Sequence, residues 1–326
     1  MQETAIDRLE AIIAKSRVEM YKPIQIAEVL RHHRLGEITD LSDIESFRNR
    51  SIHWRNDVTT ELMGKVSTSS ARFQHDVWNE SAMKSEYLVQ LGAANLQDAS
   101  IEKMIYRAIS KKQEILIDFF FKLENVSTAS GLKKLFSLFD SDNLQTSRDR
   151  LFEILISSTF EALMEENEIF LSIRGLNSTS NSFALAAVSK LVGSREIRLK
   201  MSRLGRTNSA DAGVDVWSNF GVIVNIKHRL VDEQLLSTIL EDTPNGELLI
   251  VCKAVTSKAL SVTWDPTNQR AVSILTLDQV WSSVEDLELE QLNWDNFMSN
   301  FIQAFRREFP LVSSLVEFMN SRNYLD

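Results

Sequence analysis

Residues 211–229, DAGVDVWSNFGVIVNIKHR, restrict the fold more than any other stretch of the chain. Two valine-rich runs flank Asn219-Phe220-Gly221. A three-residue hairpin loop needs a left-handed residue at its last position, and Gly221 supplies it. That loop pairs Ser218 with Val222, Trp217 with Ile223 and Asp215 with Asn225. Directly opposed side chains share a face, with Cβ atoms about 4.5–5.5 Å apart. Lys227, two residues beyond Asn225, points to the same face. The other face is Val214, Val216, Val222, Val224 and Ile226, all aliphatic. A two-residue loop would instead set Asp215 opposite Val224 and bury a carboxylate among valines, which is costly. The expected hairpin therefore turns one face to the core and presents Asp215, Asn225 and Lys227 on the other.

A carboxylate beside a second oxygen donor suits Mg²⁺, a hard ion that takes few protein ligands and keeps several waters. Such an ion activates water and offsets charge on a phosphodiester during in-line attack. A nearby lysine orients the water and neutralises developing negative charge. The trio thus reads as a site for metal-assisted phosphodiester hydrolysis. The plainer alternative is a surface salt bridge between Asp215 and Lys227, worth less than about 1 kcal/mol.

Charge favours the first reading. The chain carries a net −9, yet residues 190–229 hold eight basic side chains (Lys190, Arg195, Arg198, Lys200, Arg203, Arg206, Lys227, Arg229) against three acidic. Residues 230–326 hold six basic and fifteen acidic. The one cationic segment surrounds the hairpin and fits an anionic ligand. The competing explanation is a solvated face paired with the acidic tail.

Around this segment the 326 residues fall into two textures. Residues 1–145 read as mainly helical: ETAIDRLEAIIAKSRVEMY and SIEKMIYRAISKKQEILIDFFFKLENV carry helical apolar stripes, with Ser100 as an expected N-cap. SLFDSDNLQTSRDR marks the expected boundary. In residues 146–326, RLFEILISSTFEALMEENE is an amphipathic helix, and SFALAAVSKLVG is a second helix ending at Gly193. REIRLKM, GVDVW and VIVNIKH follow as strands. VDEQLLSTILEDT is a helix stopped by Pro244-Asn245-Gly246, ELLIVCKAV is a buried strand, and the tail from LNWDNFMSNFIQAFRREF is helical. The fold class is α/β (α+β): helix, three strands, helix, strand. Cys252, the only cysteine, reads as a small core residue in a reducing, cytoplasmic setting. The acidic, helix-patterned N-terminus does not read as a signal peptide, and no apolar run reads as a membrane span.

That order, with Asp on the second strand and Asn-x-Lys on the third in the place of (Asp/Glu)-x-Lys, resembles the PD-(D/E)xK nuclease core. AKSRVEMYKPIQIAEVL, DLSDIESFRNRSIHWRNDV, GKVSTSSARFQHDVW and DAGVDVWSNFGVIVNIKH resemble the HaeII-type restriction endonucleases. The resemblance implies a Mg²⁺-dependent endonuclease acting on double-stranded DNA at a short palindromic site, as a homodimer. It makes Asp215 the metal-binding aspartate and Lys227 the catalytic lysine. Asn225 stands where the pattern has Asp or Glu, so either the site tolerates an amide, with the Ile226 carbonyl adding a ligand, or Asp211, Glu153 or Glu161 substitutes. A DNA-binding or assembly module whose nuclease core has decayed at Asn225 is the alternative. For DNA contact the candidates are Arg72 and Gln74, types that read guanine and adenine edges, with Arg203, Arg206, His228 and Arg229. His32-His33 lacks the spacing of a metal site and reads as a basic turn.

Overall fold

The computed structural model describes residues 3–16, 20–64, 77–78, 82–140, 145–166, 170–173, 195–198, 200–203, 214–243 and 246–325. The chain divides into two units: residues 1–127, 131–150 and 305–326, and residues 128–130 with 151–304. The sequence placed a boundary at 145 and kept the tail with the second region; the compact units divide at 150 and return residues 305–326 to the first.

The first unit is helical: α1 (Ala5–Lys15), α2 (Tyr21–Arg34), α3 (Arg48–Met63), α4 (Ser85–Asn95), α5 (Ser100–Leu123) and most of α6 (Ala129–Leu135). Its core joins Leu9, Ile24, Leu30, Leu88 and Ile105 to Leu315, Phe318 and Tyr324 near the C-terminus. Polar groups are buried inside it. Glu102 accepts from Arg34 Nε and Nη2, both at 2.9 Å, from Asn95 Nδ2 at 2.6 Å and from the Tyr324 hydroxyl. Glu28 accepts from Tyr106 at 2.6 Å and from Arg322. Lys112 donates to the Ile13 and Ser16 carbonyls at the end of α1, and burial pulls its pKa down to about 8. The Ile13 carbonyl also accepts from the Ser16 N–H at 3.2 Å, so the ammonium adds to the cap of α1.

The N-cap expectation at Ser100 is corrected. The cap position is Ala99, in a left-handed conformation. The side-chain oxygen of Asn95, on α4, accepts from the Ile101 and Glu102 amides, both at 3.1 Å. A tertiary contact thus supplies what a local Ser cap would have supplied.

The second unit contains most of α7 (Gln145–Glu166), then β1 (Phe170–Ile173), β2 (Arg195–Arg198), β3 (Met201–Arg203), β4 (Val216–Ser218) and β5 (Val222–Val231). After these come α8 (Glu233–Asp242), β6 (Glu247–Val255), α9 (Ser257–Leu260), β7 (Trp264–Asp265), β8 (Arg270–Thr276), α10 (Leu277–Glu288) and most of α11 (Gln291–Glu308). The short α12 (Leu315–Ser321) belongs to the first unit. REIRLKM, read as one strand, is two: β2 pairs with β1, and β3 joins a six-stranded sheet of order β3-β4-β5-β6-β8-β7. In that sheet β3-β4-β5 is antiparallel, β5-β6-β8 is parallel, and β7 returns antiparallel. The β7–β8 hairpin is an addition to the expected strands: β7, two residues, is too short to show a period, whereas β8 alternates buried and exposed residues from Arg270 to Ile274. The expected helix over 182–193 and the stop at Pro244-Asn245 lie outside the described residues.

Both faces of this sheet are covered. On one, Ile156 of α7 and Val280 of α10 pack against Met201, Val216, Val224 and Val251. On the other, Leu236 and Ile239 of α8 pack against Leu248, Ile250, Val272 and Ile274. A parallel β5–β6 pair needs a crossover, and the crossover helix lies on the sheet. Among the described residues, no helix is long and apolar enough to cross a membrane.

Candidate active site

The hairpin forms in the expected register. Val216 pairs with Val224 and Trp217 with Ile223, across a loop of residues 219–221. Gly221 sits at φ +92, a conformation that suits glycine. The loop is closed by a side chain: Ser218 Oγ accepts from Val222 N at 2.7 Å. Asn219 ties it to the start of β3, donating from its amide to the Lys200 carbonyl and accepting from Lys200 N at 2.8 Å. Val214, Val216 and Val224 are buried, as the aliphatic face requires.

The polar face differs from expectation in two respects. First, the ladder stops before Asp215. Its N–H donates to the Val224 carbonyl at 2.9 Å, and its Oδ2 accepts from the Ile226 N–H at 2.7 Å. The carboxylate therefore takes a backbone bond from β5, between Asn225 and Lys227. Second, Asn225 is only 2 % exposed. It lies beside Ile250 of β6, on the face that α8 helps to cover. The sheet is closed on that side by its crossover helix, so Asn225 is enclosed, while Asp215 and Lys227 are half-buried.

Lys227 lies beside Cys252 of β6, and directly after it the register shifts. Lys227 matches Cys252 whereas Leu230 matches Ala254, so β5 carries one extra residue at His228-Arg229. Bulges of this kind often lie next to active sites and re-aim side chains. The His228 ring stacks on Phe152 of α7, with centroids 4.0 Å apart and planes 18° from parallel. Arg229 is exposed. Phe152, Ile156, Ile226, Lys227, His228, Val251, Cys252, Lys253 and Leu277 line one small depression here. Cys252 is buried, and burial pushes its thiol up to about 11.

The other candidates separate. Arg203 Nη1 stands 4.0 Å from Glu153 Oε2, both largely buried. Glu153 therefore faces a guanidinium, on the face of the sheet that carries Val216. Glu161 is half-buried on α7. Arg72, Gln74, Arg206 and Asp211 lie outside the described residues. His32 accepts no metal-like company: it meets Glu37 at 2.8 Å and stacks on Trp54 at 3.7 Å. Among the described residues no three His, Cys, Asp or Glu side chains converge as a metal would require. Asp215 and Asn225 carry hard oxygen donors of the kind Mg²⁺ takes, but bring a single charge between them.

Sequence reasoning missed Phe152 and Lys253. Lys253 had a signal, as the only charged residue inside LLIVCKAV. Phe152 had none, since its role depends on which face of α7 meets the sheet.

The family model described as HaeII restriction endonuclease matches residues 5–324. The chain is 31 % identical to the type II restriction enzyme NgoBI of Neisseria gonorrhoeae over 327 residues, covering 97 % of this chain and 89 % of that protein. It is 32 % identical to the type II restriction enzyme HaeII of Haemophilus aegyptius over 269 residues, covering 79 % and 76 %. No solved structure gives a significant match.

Proposed function

The chain belongs to the HaeII restriction endonuclease family, and from that premise we propose that it is a Mg²⁺-dependent type II restriction endonuclease cutting double-stranded DNA at a short palindromic site. The observation that carries the site assignment is the bond from Ile226 N–H to Asp215 Oδ2, 2.7 Å, which fixes a carboxylate against the strand between Asn225 and Lys227. The run of antiparallel β3-β4-β5, then α8 and parallel β6, supports it, since the resembling nuclease core has three strands, a helix and a strand in that order.

Asp215 and Asn225 would hold the ion, with the Ile226 carbonyl as a further donor. Bound there, Mg²⁺ supplies a more acidic water and a positive charge beside the phosphodiester. Lys227 orients the attacking water and neutralises charge as water adds to phosphorus and one ester P–O bond breaks. Lys253 and Arg229 add positive potential at the same end of β5 and β6. Arg72, Gln74, Arg203 and Arg206 are the further proposed DNA contacts; His228, expected among them, is stacked on Phe152 instead. Arg203 then reaches DNA only where its pairing with Glu153 permits. A homodimer places one site on each strand of a two-fold DNA sequence, in the cytoplasm.

Plasmid incubated with the protein and Mg²⁺ should give discrete fragments, and Lys227→Ala should give none while still retarding the same DNA in a gel. Retardation without cleavage by the unmodified protein would replace this reading with that of a DNA-binding module with a decayed core.

A further inference from the structure

Building on the assignment of Lys227 as catalytic, we infer that Phe152 and His228 are a positioning pair: their ring stack pins the β5 bulge and so sets the aim of Lys227. An inserted residue disrupts the ladder locally and bends the strand, so the aim of its neighbours depends on what else holds it. Here the insertion falls immediately after Lys227. The next matched residue along β5 is Leu230, opposite Ala254, so the aim of Lys227 depends on what holds the two residues between.

The restraint comes from α7. Phe152 is buried, at 7 % exposure, and Ile156, one turn further on, is in the core cluster with Val224 and Val251. The helix is thus anchored to the sheet itself, and Phe152 presents a fixed plane. His228 lies flat on that plane at 4.0 Å and 18°. Phe152, His228 and Lys227 border the same depression, so a displaced ring would disturb the bulge that directly follows the lysine. Lys227, Lys253 and Arg229 are the charged groups around the ring on β5 and β6. Stacking needs a flat ring and no charge, which separates this role from that of a phosphate contact.

The test is single-turnover plasmid cleavage, with DNA affinity measured separately in EDTA and folding followed by thermal melts. His228→Phe and Phe152→Tyr keep both rings and should cut within about threefold of the unmodified rate. His228→Ala and Phe152→Leu lose the stack and should cut at least about tenfold more slowly, in line with the cost of small misplacements. Affinity for DNA should stay within about twofold in all four, since aim rather than attraction is lost. If His228→Phe is as slow as His228→Ala, or the loss appears in affinity alone, His228 is a phosphate contact and the inference fails. If all four cut normally, the stack has no bearing on Lys227 and the inference also fails. Lys227→Ala, run in parallel, separates the two levels: normal cleavage by that variant removes the catalytic assignment itself, whatever the ring variants do.

Discussion

Replacing Asp215 tests both its chemistry and its place in the fold, and alanine and asparagine should part company. The carboxylate accepts from Ile226 N–H at 2.7 Å, on an interior strand flanked by β4 and β6. A hydrogen bond to a charged group contributes about 1.5–3 kcal/mol, and a buried donor stripped of its acceptor costs about 1–3 kcal/mol. Asp215 is half-buried, so water can replace part of the loss. Asp215→Ala should therefore cost about 1–2 kcal/mol, which for a unit of this size lowers the melting midpoint by roughly 2–8 °C. Asp215→Asn keeps an oxygen in reach of the amide and should stay within about 0.5 kcal/mol. Both should lose cleavage by at least about a hundredfold, because both lose the negative charge. Calorimetry or a circular-dichroism melt, with plasmid cleavage on the same samples, reads all of this. Equal melting of the two variants would refute the structural role of the bond. Near-normal cleavage by Asp215→Asn would refute the need for its charge.

Asn225→Asp places a second carboxylate in an enclosed position beside Asp215, so the variant should melt below the unmodified protein in EDTA. Mg²⁺ should restore it by a larger increment than the unmodified protein gains; an equal increment would remove residue 225 from the metal. Arg34→Met leaves Glu102 inside the helical unit without its guanidinium. Removing one partner of a buried pair costs about 3–5 kcal/mol, and Arg34 is partly exposed, so about 2–3 kcal/mol is expected. With a urea slope of about 2–3 kcal/mol/M that is a midpoint lower by roughly 1 M; no shift would mean that Asn95 and Tyr324 suffice. Lys112, with its folded pKa pulled down to about 8 from 10.5, binds fewer protons folded than unfolded between those values. Its contribution to stability therefore rises with pH across that window, by at most about 3 kcal/mol. The stability of the unmodified protein minus that of Lys112→Met should rise between pH 8 and 10, and a flat difference would show that the lysine titrates normally.

Within the hairpin, local chemistry sufficed. Alternation, Asn219-Phe220-Gly221 and the cost of burying a carboxylate among valines fixed loop length, register and the aliphatic face before any tertiary contact was known. The strand ELLIVCKAV matches β6 residue for residue, because a long run of branched apolar residues has few other uses. The charge map likewise singled out the segment that holds Lys227. What local pattern could not hold was anything set by an element distant in the chain. α8 crosses over one face of the sheet, so Asn225 is enclosed rather than presented. Asp215 leaves the ladder, and its carboxylate accepts from the Ile226 amide of β5, a contact that only the packed strands decide. Asn95 caps α5 in place of Ser100. The extra residue after Lys227 is visible only against β6, and the ring that steadies it stands on α7, 76 positions earlier. A period of two or of 3.6 specifies which side of an element is apolar; which other element meets that side is decided by burial summed over the whole unit.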